Sequence, residues 1–276
     1  MKPLQDGRLD VSPEYIYWTG CAANYDARIA AVVEATTKVL RAGGIRLKFL
    51  GGEEVCTGDA ARRLGEEGLF QQLALQNIET LHRHSVTHIV THCAHCFHVF
   101  KNEYPRFGGS FEIVHHAELI AHLIKERRVR LRAGTKLPAT ETVTLHDSCY
   151  VGRYNGVFDA PREILTAVHG PAVVEMERHG RQSFCCGAGG ANYWFDAPKK
   201  QLPGAIRARE AARTGARILA AECPFCIKML EQGVKAEAPD TEMRVMDIAE
   251  IAAEALDLSD ASDFNAPIPF RARSGQ

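Results

Sequence analysis

Short apolar runs alternate along the chain with longer segments whose apolar residues recur every three or four positions. Four runs in the first half are rich in β-branched and aromatic residues and predict strands; they are Tyr15–Trp18, Leu47–Leu50, His88–Val90 and Phe111–Val114. The segments with helical periodicity predict helices; they are Arg28–Arg41, Leu69–His84, Phe97–Tyr104 and Ala117–Lys125. This alternation predicts an α/β fold with a mainly parallel sheet flanked by helices.

The second half repeats the same order of elements. Its predicted strands are Val143–Leu145, Val173–Met176, Ile218–Ala220 and Met243–Met246. Its predicted helices are Pro161–Val168, Gly204–Thr214, Phe225–Lys235 and Ile248–Leu256. We therefore predict two pseudo-symmetric repeats, residues 1–132 and 133–276. The polar segment Arg127–Thr142 is the predicted linker, and the chain from Asp257 onward is a predicted loose tail.

The chain has nine cysteines, four in the first half and five in the second, and all but Cys186 lie at equivalent points of the two halves. The nine are Cys21, Cys56, Cys93, Cys96, Cys149, Cys185, Cys186, Cys223 and Cys226. Matching cysteines are separated by 128 to 130 positions, and such a constant offset indicates an internal repeat. Because each cysteine follows a predicted strand, and the carboxyl ends of parallel strands meet at one edge of a sheet, we expect one cluster of thiols in each repeat.

Composition narrows the classes of function. A chain of 276 residues with 46% hydrophobic content can bury a large core, and 33 Lys+Arg against 34 Asp+Glu give no basic surface for nucleic acid. No apolar run is long enough to span a bilayer, and the first twenty residues do not resemble a signal peptide. We expect a cytoplasmic protein without a transmembrane segment, or one peripheral to the cytosolic side of a membrane complex. In a reducing compartment an odd number of cysteines favours metal ligands over disulfides.

The spacing of the cysteines indicates the kind of metal centre. Cys93 and Cys96, like Cys223 and Cys226, form a C-x-x-C pair where a strand gives way to a helix, and the N–H groups there favour thiolate. The first repeat supplies four thiols, which suit zinc or an iron–sulfur cluster. The second repeat supplies five thiols. Because the adjacent side chains of Cys185 and Cys186 diverge, both can bind the same centre only if it contains several metal atoms.

A glycine-rich turn follows these adjacent cysteines. Gly187, Gly189 and Gly190 let the backbone approach a cluster closely and offer N–H donors to sulfur. The alternative for these glycines is an ordinary tight turn.

Several segments resemble a known family. In the second half these are FCCGAGGANYW and ECPFCIKML, and in the first half YWTGCA, CTGDAARRLG and NEYPRFGG. The pattern resembles the paired cysteine-rich (CCG) domains of the heterodisulfide reductase family, most closely its iron–sulfur subunits associated with electron-transfer flavoprotein and quinone. The similarity runs from about Tyr15 to Leu256. It implies that the five cysteines of the second repeat hold a noncubane [4Fe-4S] cluster, at which disulfide chemistry or terminal electron transfer occurs.

The first repeat departs from the full pattern because Thr57 stands where the second has Cys186. Its four cysteines fit a cubane [4Fe-4S] cluster, a modified cluster completed by a non-cysteine ligand, or zinc, and we favour the cubane. Asp59 and His95 lie beside these cysteines as candidate ligands or hydrogen-bonding groups. The alternatives are a helix cap and a partly exposed polar residue.

Two further pairs are candidates for proton transfer. His146 and Asp147, just before Cys149, are predicted to deliver protons to a cluster-bound substrate. His115 and His116 follow a strand and precede a helix, and the repeat places Asp247 opposite His115. One of this pair is therefore a candidate helix cap rather than part of a proton relay.

The function that we predict is that of an oxidoreductase subunit. It exchanges electrons with a ferredoxin-like or flavoprotein partner and passes them to or from a small disulfide or quinone acceptor. Related larger proteins usually carry a ferredoxin-like segment ahead of the repeats, and none is found here, so we expect electrons to arrive from a separate subunit or module. The alternatives are a zinc-stabilised, non-catalytic scaffold or binding module and a pure electron conduit.

Overall fold

The computed structural model describes residues 9–132, 142–170, 173–195 and 202–257. Two sheets, both parallel throughout, form its framework, which confirms the α/β prediction. The first has the order β2-β1-β3-β4, and its strands are Tyr15–Trp18 (β1), Leu47–Lys48 (β2), His88–Thr91 (β3) and Glu112–His115 (β4). The second has the order β5-β6-β7, and its strands are Val143–Leu145 (β5), Ile218–Ala221 (β6) and Arg244–Asp247 (β7).

Helices flank both sheets. In the first repeat they are Gly20–Tyr25 (α1), Ala27–Ala42 (α2), Asp59–Arg63 (α3), Glu67–Arg83 (α4), Ala94–Asn102 (α5) and His116–Lys125 (α6). In the second they are Asp159–His169 (α7), Pro203–Arg213 (α8), Pro224–Glu237 (α9) and Ile248–Glu254 (α10). Single 3₁₀ turns occupy Gly51–Glu53, Tyr104–Phe107, Gly180–Gln182 and Asn192–Trp194. The short helices α1 and α3 lie next to cysteines and were not predicted.

The strands are buried along most of their length because helices cover both faces of each sheet. In β1 all four residues are buried, and in β6 likewise. The register pairs Ile16 with Ile89 in the first sheet and Val143 with Ile218 in the second. β1, β3 and β4 therefore have their counterparts in β5, β6 and β7.

Two predicted strands are shorter than expected. β2 ends at Lys48, and the chain then enters the 3₁₀ turn that precedes Cys56. The strand predicted at Val173–Met176 is wrong as a strand, because only Val173 forms a parallel bridge, with Val143. Beyond it the Arg162 guanidinium, on α7, holds the Glu175 carboxylate at 2.6 Å, and the chain leaves the sheet edge.

The two repeats pack against each other through equivalent helices. α2 contacts α10 and α6 contacts α7, so the two contacts are related by the pseudo-symmetry of the repeat. Their apolar residues belong to one buried cluster that includes Val33, Leu123, Ile164 and Ile251. The core is therefore continuous across the repeats.

Polar contacts reinforce this packing. Arg28, on α2, binds Glu231 of α9 and Glu250 of α10, each at 2.7 Å. The start of the predicted linker is also attached to the second repeat, since Leu131 bridges Leu256.

The rest of that linker, residues 133–141, and the tail after residue 257 lie outside the described residues. The division at residues 132 and 133 stays a prediction. Within the described part of the chain, no helix is long and apolar enough to cross a membrane.

Candidate functional site

The second-repeat thiols gather beyond the carboxyl ends of β5 and β6. Cys149 lies in the turn after β5, Cys223 caps the N-terminus of α9 after β6, and Cys226 lies in the first turn of α9. Cys185 and Cys186 come from the loop between the Gly180–Gln182 turn and α8. This is the sheet edge at which ligands collect in parallel α/β folds.

All five thiols of this set are connected by contacts with one another. Cys186 Sγ lies 3.2 Å from Cys226 Sγ. Cys185 contacts both Cys149 and Cys186, and Cys226 contacts Cys223. The two adjacent thiols thus reach different neighbours of one cluster.

The glycine turn contributes one close backbone approach. Gly187 has φ of +90° and donates its N–H to Cys185 Sγ at 3.3 Å, while a Cβ at this position would lie 2.8 Å from Pro203. Gly190 also has positive φ, at +68°, whereas a Cβ on Gly189 would meet no atom within 4 Å. Ala188, not singled out from the sequence, donates its N–H to Cys186. The role of the three glycines in cofactor binding stays a prediction.

The first-repeat thiols have the same arrangement around β1 and β3. Cys21 lies in α1, directly after β1, and its Sγ is 4.0 Å from Cys56 Sγ. Cys93 caps α5 after β3, and Cys96 lies in the first turn of that helix. Gly58, with φ of +87°, donates its N–H to Cys56 Sγ at 3.4 Å.

The chemistry of these donors fits a positively charged centre. All nine cysteines are free thiols. Contact with Cys21 lowers the pKa of Cys56 to about 6, and that contact raises the pKa of Cys21. In the second repeat the contact with Cys149 lowers the pKa of Cys185 to about 2, while the pKa of Cys149 is raised. Each contact therefore favours ionisation of one thiol and opposes ionisation of its neighbour. A cation bound among the thiols would stabilise both as thiolates, because it offsets the repulsion between their negative charges.

His146 is buried at the second set of thiols. Its ligand atom and those of Cys186 and Cys226 all lie within 4.8 Å of one another. Arg207 Nε donates to His146 Nδ1 at 3.1 Å, which leaves the proton of a neutral ring on Nε2. Burial, aided by the Arg207 charge, lowers the pKa of His146 to about 4.

Asp147 belongs to an ion-pair network. Arg162 binds its two oxygens at 2.6 and 3.1 Å, and Gly180 donates an N–H to it at 2.7 Å. Burial opposes ionisation, but the Arg162 guanidinium lowers the pKa of Asp147 below its ordinary value. A catalytic role for His146 and Asp147 stays a prediction.

His95 and Asp59 connect the two repeats. His95 Nδ1 is 2.6 Å from Asp59 Oδ2, and the ring also contacts Cys223, a thiol of the other repeat. Burial opposes protonation of His95, but these two hydrogen bonds raise its pKa to about 10. Asp59 is the first residue of α3, whose cap is Gly58, so Asp59 is not itself the cap.

A pocket that is partly open to solvent leads to the first set of thiols. Thr57 and the four first-repeat cysteines line it. The second repeat supplies aromatic walls, namely Tyr193, Trp194 and Phe225. Each C-x-x-C loop therefore places its third residue, His95 or Phe225, against the site of the other repeat.

The remaining histidine pair lies at the contact between the repeats. His115 caps α6, and its N–H donates to Glu118 at 3.2 Å. His116 Nε2 lies 2.8 Å from Asp247, which caps α10, and both side chains are fully buried. The cap predicted for one of the two histidines is therefore observed at His115.

Sequence reasoning missed several charged groups that support the site. Arg207 is fully buried and binds His146, while Glu222 accepts a hydrogen bond from Ser148 N at 3.2 Å beside Cys149. In the first repeat Glu54 accepts from Thr19 N at 3.0 Å. Glu54 and Glu222 stand next to cysteine motifs in the sequence, and this position could have identified them as candidates. Arg207 shares α8 with other arginines, and nothing in the sequence distinguishes it.

Fold and site together define a protein of two α/β repeats, each of which gathers cysteine thiols at the carboxyl edge of a parallel sheet. Residues 15–101 and 143–231 each match the cysteine-rich domain, CCG. The chain belongs to the CCG cysteine-rich domain family, as the sequence motifs indicated.

Several curated proteins are similar to nearly the whole chain. A probable iron–sulfur-binding oxidoreductase of Bacillus subtilis, FadF, is 39% identical over 88% of this chain. An EtfAB:quinone oxidoreductase of Syntrophomonas wolfei is 37% identical over 88%. A subunit of the dihydromethanophenazine:CoB–CoM heterodisulfide reductase of Methanosarcina barkeri is 35% identical over 92%. The matched regions are 34%, 34% and 62% of those relatives' own lengths, so the chain corresponds to only part of each.

One solved structure, of a hypothetical protein from Helicobacter pylori, shares the fold with a TM-score of 0.61 and 11% sequence identity. The match covers 89% of this chain and 49% of that one.

Proposed function

We propose that the chain is an iron–sulfur oxidoreductase subunit of the heterodisulfide reductase type. The single observation that carries the proposal is the contact of five thiols at one sheet edge, with Cys185 and Cys186 reaching different neighbours. One tetrahedral zinc has no use for a fifth thiolate, whereas a polynuclear cluster does. The names of the relatives from Bacillus subtilis, Syntrophomonas wolfei and Methanosarcina barkeri support an oxidoreductase of this kind.

The second-repeat cysteines would hold a noncubane [4Fe-4S] cluster, and the first-repeat cysteines a second centre, either [4Fe-4S] or zinc. A bound iron–sulfur cluster supplies one-electron chemistry and a site for sulfur ligands. The chain binds the centre through thiolates, donates Gly187 N–H to a ligand sulfur and excludes water with buried apolar residues. His146, one ring nitrogen of which lies within 4.8 Å of the Cys186 and Cys226 sulfurs, would donate a hydrogen bond to the centre, and Asp147 would fix the loop behind it through Arg162 and Gly180.

The partners that we propose follow from the relatives. Electrons would be exchanged with a ferredoxin-like iron–sulfur subunit or a flavoprotein, and the acceptor would be a small disulfide or a quinone. Among the relatives, one is named as an oxidoreductase of quinone and one as a reductase of a heterodisulfide. The extra length of those relatives is where additional electron-carrying modules would lie.

Anaerobic purification followed by iron, sulfide and zinc analysis, with electron paramagnetic resonance (EPR), tests the proposal. We expect a brown protein with about four irons and four sulfides in each iron–sulfur cluster. Cys186→Ser should remove the second-type signal, while a first-type signal persists. An unchanged spectrum would refute the assignment of Cys186.

The two alternatives give different results. A colourless protein that contains zinc and no sulfide would be the non-catalytic scaffold or binding module. A brown protein whose clusters are reduced by a partner, but which converts neither disulfide nor quinone, would be a pure electron conduit.

A further inference from the structure

The two sets of thiols share several equivalent contacts, including one at the position where the sequences differ. Cys56 and Cys185 each accept an N–H from a glycine of positive φ, at 3.4 and 3.3 Å. The residue between cysteine and glycine is Thr57 in one repeat and Cys186 in the other. Each of these two residues directs its side chain at the second cysteine of its own C-x-x-C pair.

The matching distances are close. Thr57 Oγ1 lies 3.6 Å from Cys96 Sγ, and Cys186 Sγ lies 3.2 Å from Cys226 Sγ. Both side chains are 3% exposed. Burial of a hydroxyl is costly unless it gains a polar partner, and the partner of the Thr57 hydroxyl is the Cys96 thiol, so the oxygen is held beside the first set of thiols.

From this correspondence we propose that Thr57 is the fifth donor of the first centre, through its Oγ1 oxygen. The inference rests on the proposed iron–sulfur function. The first centre is then a five-donor site of the same design as the second, with one oxygen in place of a sulfur, rather than a four-thiolate cubane or zinc site. Binding the hydroxyl oxygen to iron requires no electron transfer, and any proton that the hydroxyl loses passes to solvent.

The surroundings of Thr57 agree with this role. Thr57 lines the same pocket as the four first-repeat cysteines, with Trp194 and Phe225 of the second repeat opposite, so it belongs to the set of side chains that surround the first centre. Oxygen is a harder donor than thiolate and binds iron less tightly. The first centre should therefore be the more labile of the two at this position.

Reciprocal exchange of the two residues tests the proposal. Four variants, Thr57→Cys, Thr57→Ser, Thr57→Val and Cys186→Thr, are purified anaerobically and compared with the wild type by iron and sulfide content and by EPR. Thr57→Cys should convert the signal of the first centre to that of the second, so that the second-type signal doubles. Cys186→Thr should produce the opposite conversion, and Thr57→Ser, which keeps the oxygen, should leave both signals unchanged.

Thr57→Val is the matched control for packing, because valine has the shape of threonine without the oxygen. We expect it to change the g values of the first centre, while the second signal, unchanged, shows that the chain is folded. If Thr57→Val and Thr57→Cys both leave the first signal as it is, or if the first centre contains zinc, the proposal is overturned. Absence of iron and sulfide from the wild-type protein would instead overturn the proposed function itself.

Discussion

His146 illustrates how a single buried side chain can adjust the second centre. Its Nδ1 is occupied by Arg207, and its Nε2, which is buried, has no hydrogen-bond partner among the described protein groups. Because one ring nitrogen of His146 lies within 4.8 Å of the Cys186 and Cys226 sulfurs, we expect the unpartnered Nε2–H to donate to a sulfur of a centre bound there. A hydrogen bond to sulfur stabilises the more negative, reduced state of a cluster.

His146→Leu, which removes the donor and keeps the bulk, should therefore lower the midpoint potential of the second centre. A charge-assisted hydrogen bond worth about 1.5 kcal/mol corresponds to roughly 60 mV for one electron. An anaerobic redox titration followed by EPR measures the shift. His146→Gln, whose side-chain amide can still donate, should recover part of it, and the control His82→Gln, whose ring lies against Phe111 of the first repeat, should have no effect. An equal potential in wild type and His146→Leu would exclude the hydrogen bond.

Asp247 gives a pH dependence of stability whose sign can be worked out. Burial raises its pKa to about 7 in the folded protein, above the ordinary value of 3.8. The folded state therefore holds a proton that the unfolded state has lost, so the free energy of unfolding falls as pH rises from about 4 through 7. Between pH 6 and pH 8 the titration of this group alone should lower the free energy of unfolding by about 1.4 kcal/mol.

Asp247→Asn should lack that component, because asparagine still caps α10 but does not titrate. Anaerobic urea unfolding of both proteins at pH 6, 7 and 8 gives the comparison. From pH 6 to pH 8 the free energy of unfolding of Asp247→Asn should rise by about 1.4 kcal/mol relative to that of wild type. For the exposed control Asp240→Asn, the difference from wild type should be the same at all three pH values. A constant difference between wild type and Asp247→Asn would contradict the raised pKa.

The residues that could be identified from sequence are those whose chemistry repeats. The cysteines are recognisable because their offset is constant, and Thr57 because it interrupts that pattern. Arg207 and Arg162 could not be identified, because a buried arginine and an exposed one look alike in a helical pattern. Their roles depend on which side chains the fold brings opposite them.

Among the elements, those with strong periodicity were predicted to within a few residues. β1 and β5 have the predicted bounds, and α2, α4 and α9 differ only at their ends. Val173–Met176 was mistaken for a strand because its residues are as β-prone as those of Leu47–Leu50. The two segments differ in structure because Arg162 binds Glu175. This contact between two elements cannot be predicted from the local sequence pattern.

The α8–α9 crossing places a tight helix contact directly behind the second centre. A Cβ on Gly233 of α9 would lie 2.4 Å from Gly204 O, and a Cβ on Gly204 of α8 would lie 3.2 Å from Cys186 O. Backbone meets backbone here, so no flexible side chain can yield. Any separation of the helices would displace the loop that carries Cys186.

Gly233→Ala should therefore destabilise the protein by about 2 to 3 kcal/mol and reduce iron retention at the second centre more than at the first. Chemical unfolding and iron analysis, with the EPR signal of each centre, measure both effects. Gly68→Ala is the matched control, because Gly68 also lies in a helix, α4, and a Cβ there meets nothing within 4 Å. That control should be neutral or slightly stabilising. Equal behaviour of the two variants would show that the crossing tolerates a methyl group.

At the scale of the whole molecule, the repeats share one core, and each completes the surroundings of the other's site. His95 of the first repeat contacts Cys223, and Phe225 of the second lines the pocket of the first. The sequence predicted two repeats but not this exchange, because periodicity describes each unit and not how two units pack. The packing implies that the repeats unfold together.

Arg28 is the polar group best placed to test that cooperativity. It joins α2 to Glu231 and Glu250 of the second repeat and also donates to Val245 O at 3.0 Å. Because the guanidinium is about a quarter exposed, its loss should cost about 2 kcal/mol rather than the larger cost of a fully buried pair.

Hydrogen exchange of the slowest amides in β3 and β6, followed by mass spectrometry, reports on the two repeats separately. Arg28→Met should lower protection in both strands by the same free energy, because one cooperative opening exposes both. Arg209→Met, which breaks the Arg209–Glu237 pair inside the second repeat, should have a smaller effect, since Arg209 is 41% exposed. If Arg28→Met reduced protection in β6 and left β3 unchanged, the repeats would be independent folding units, and the shared core would not couple their two centres.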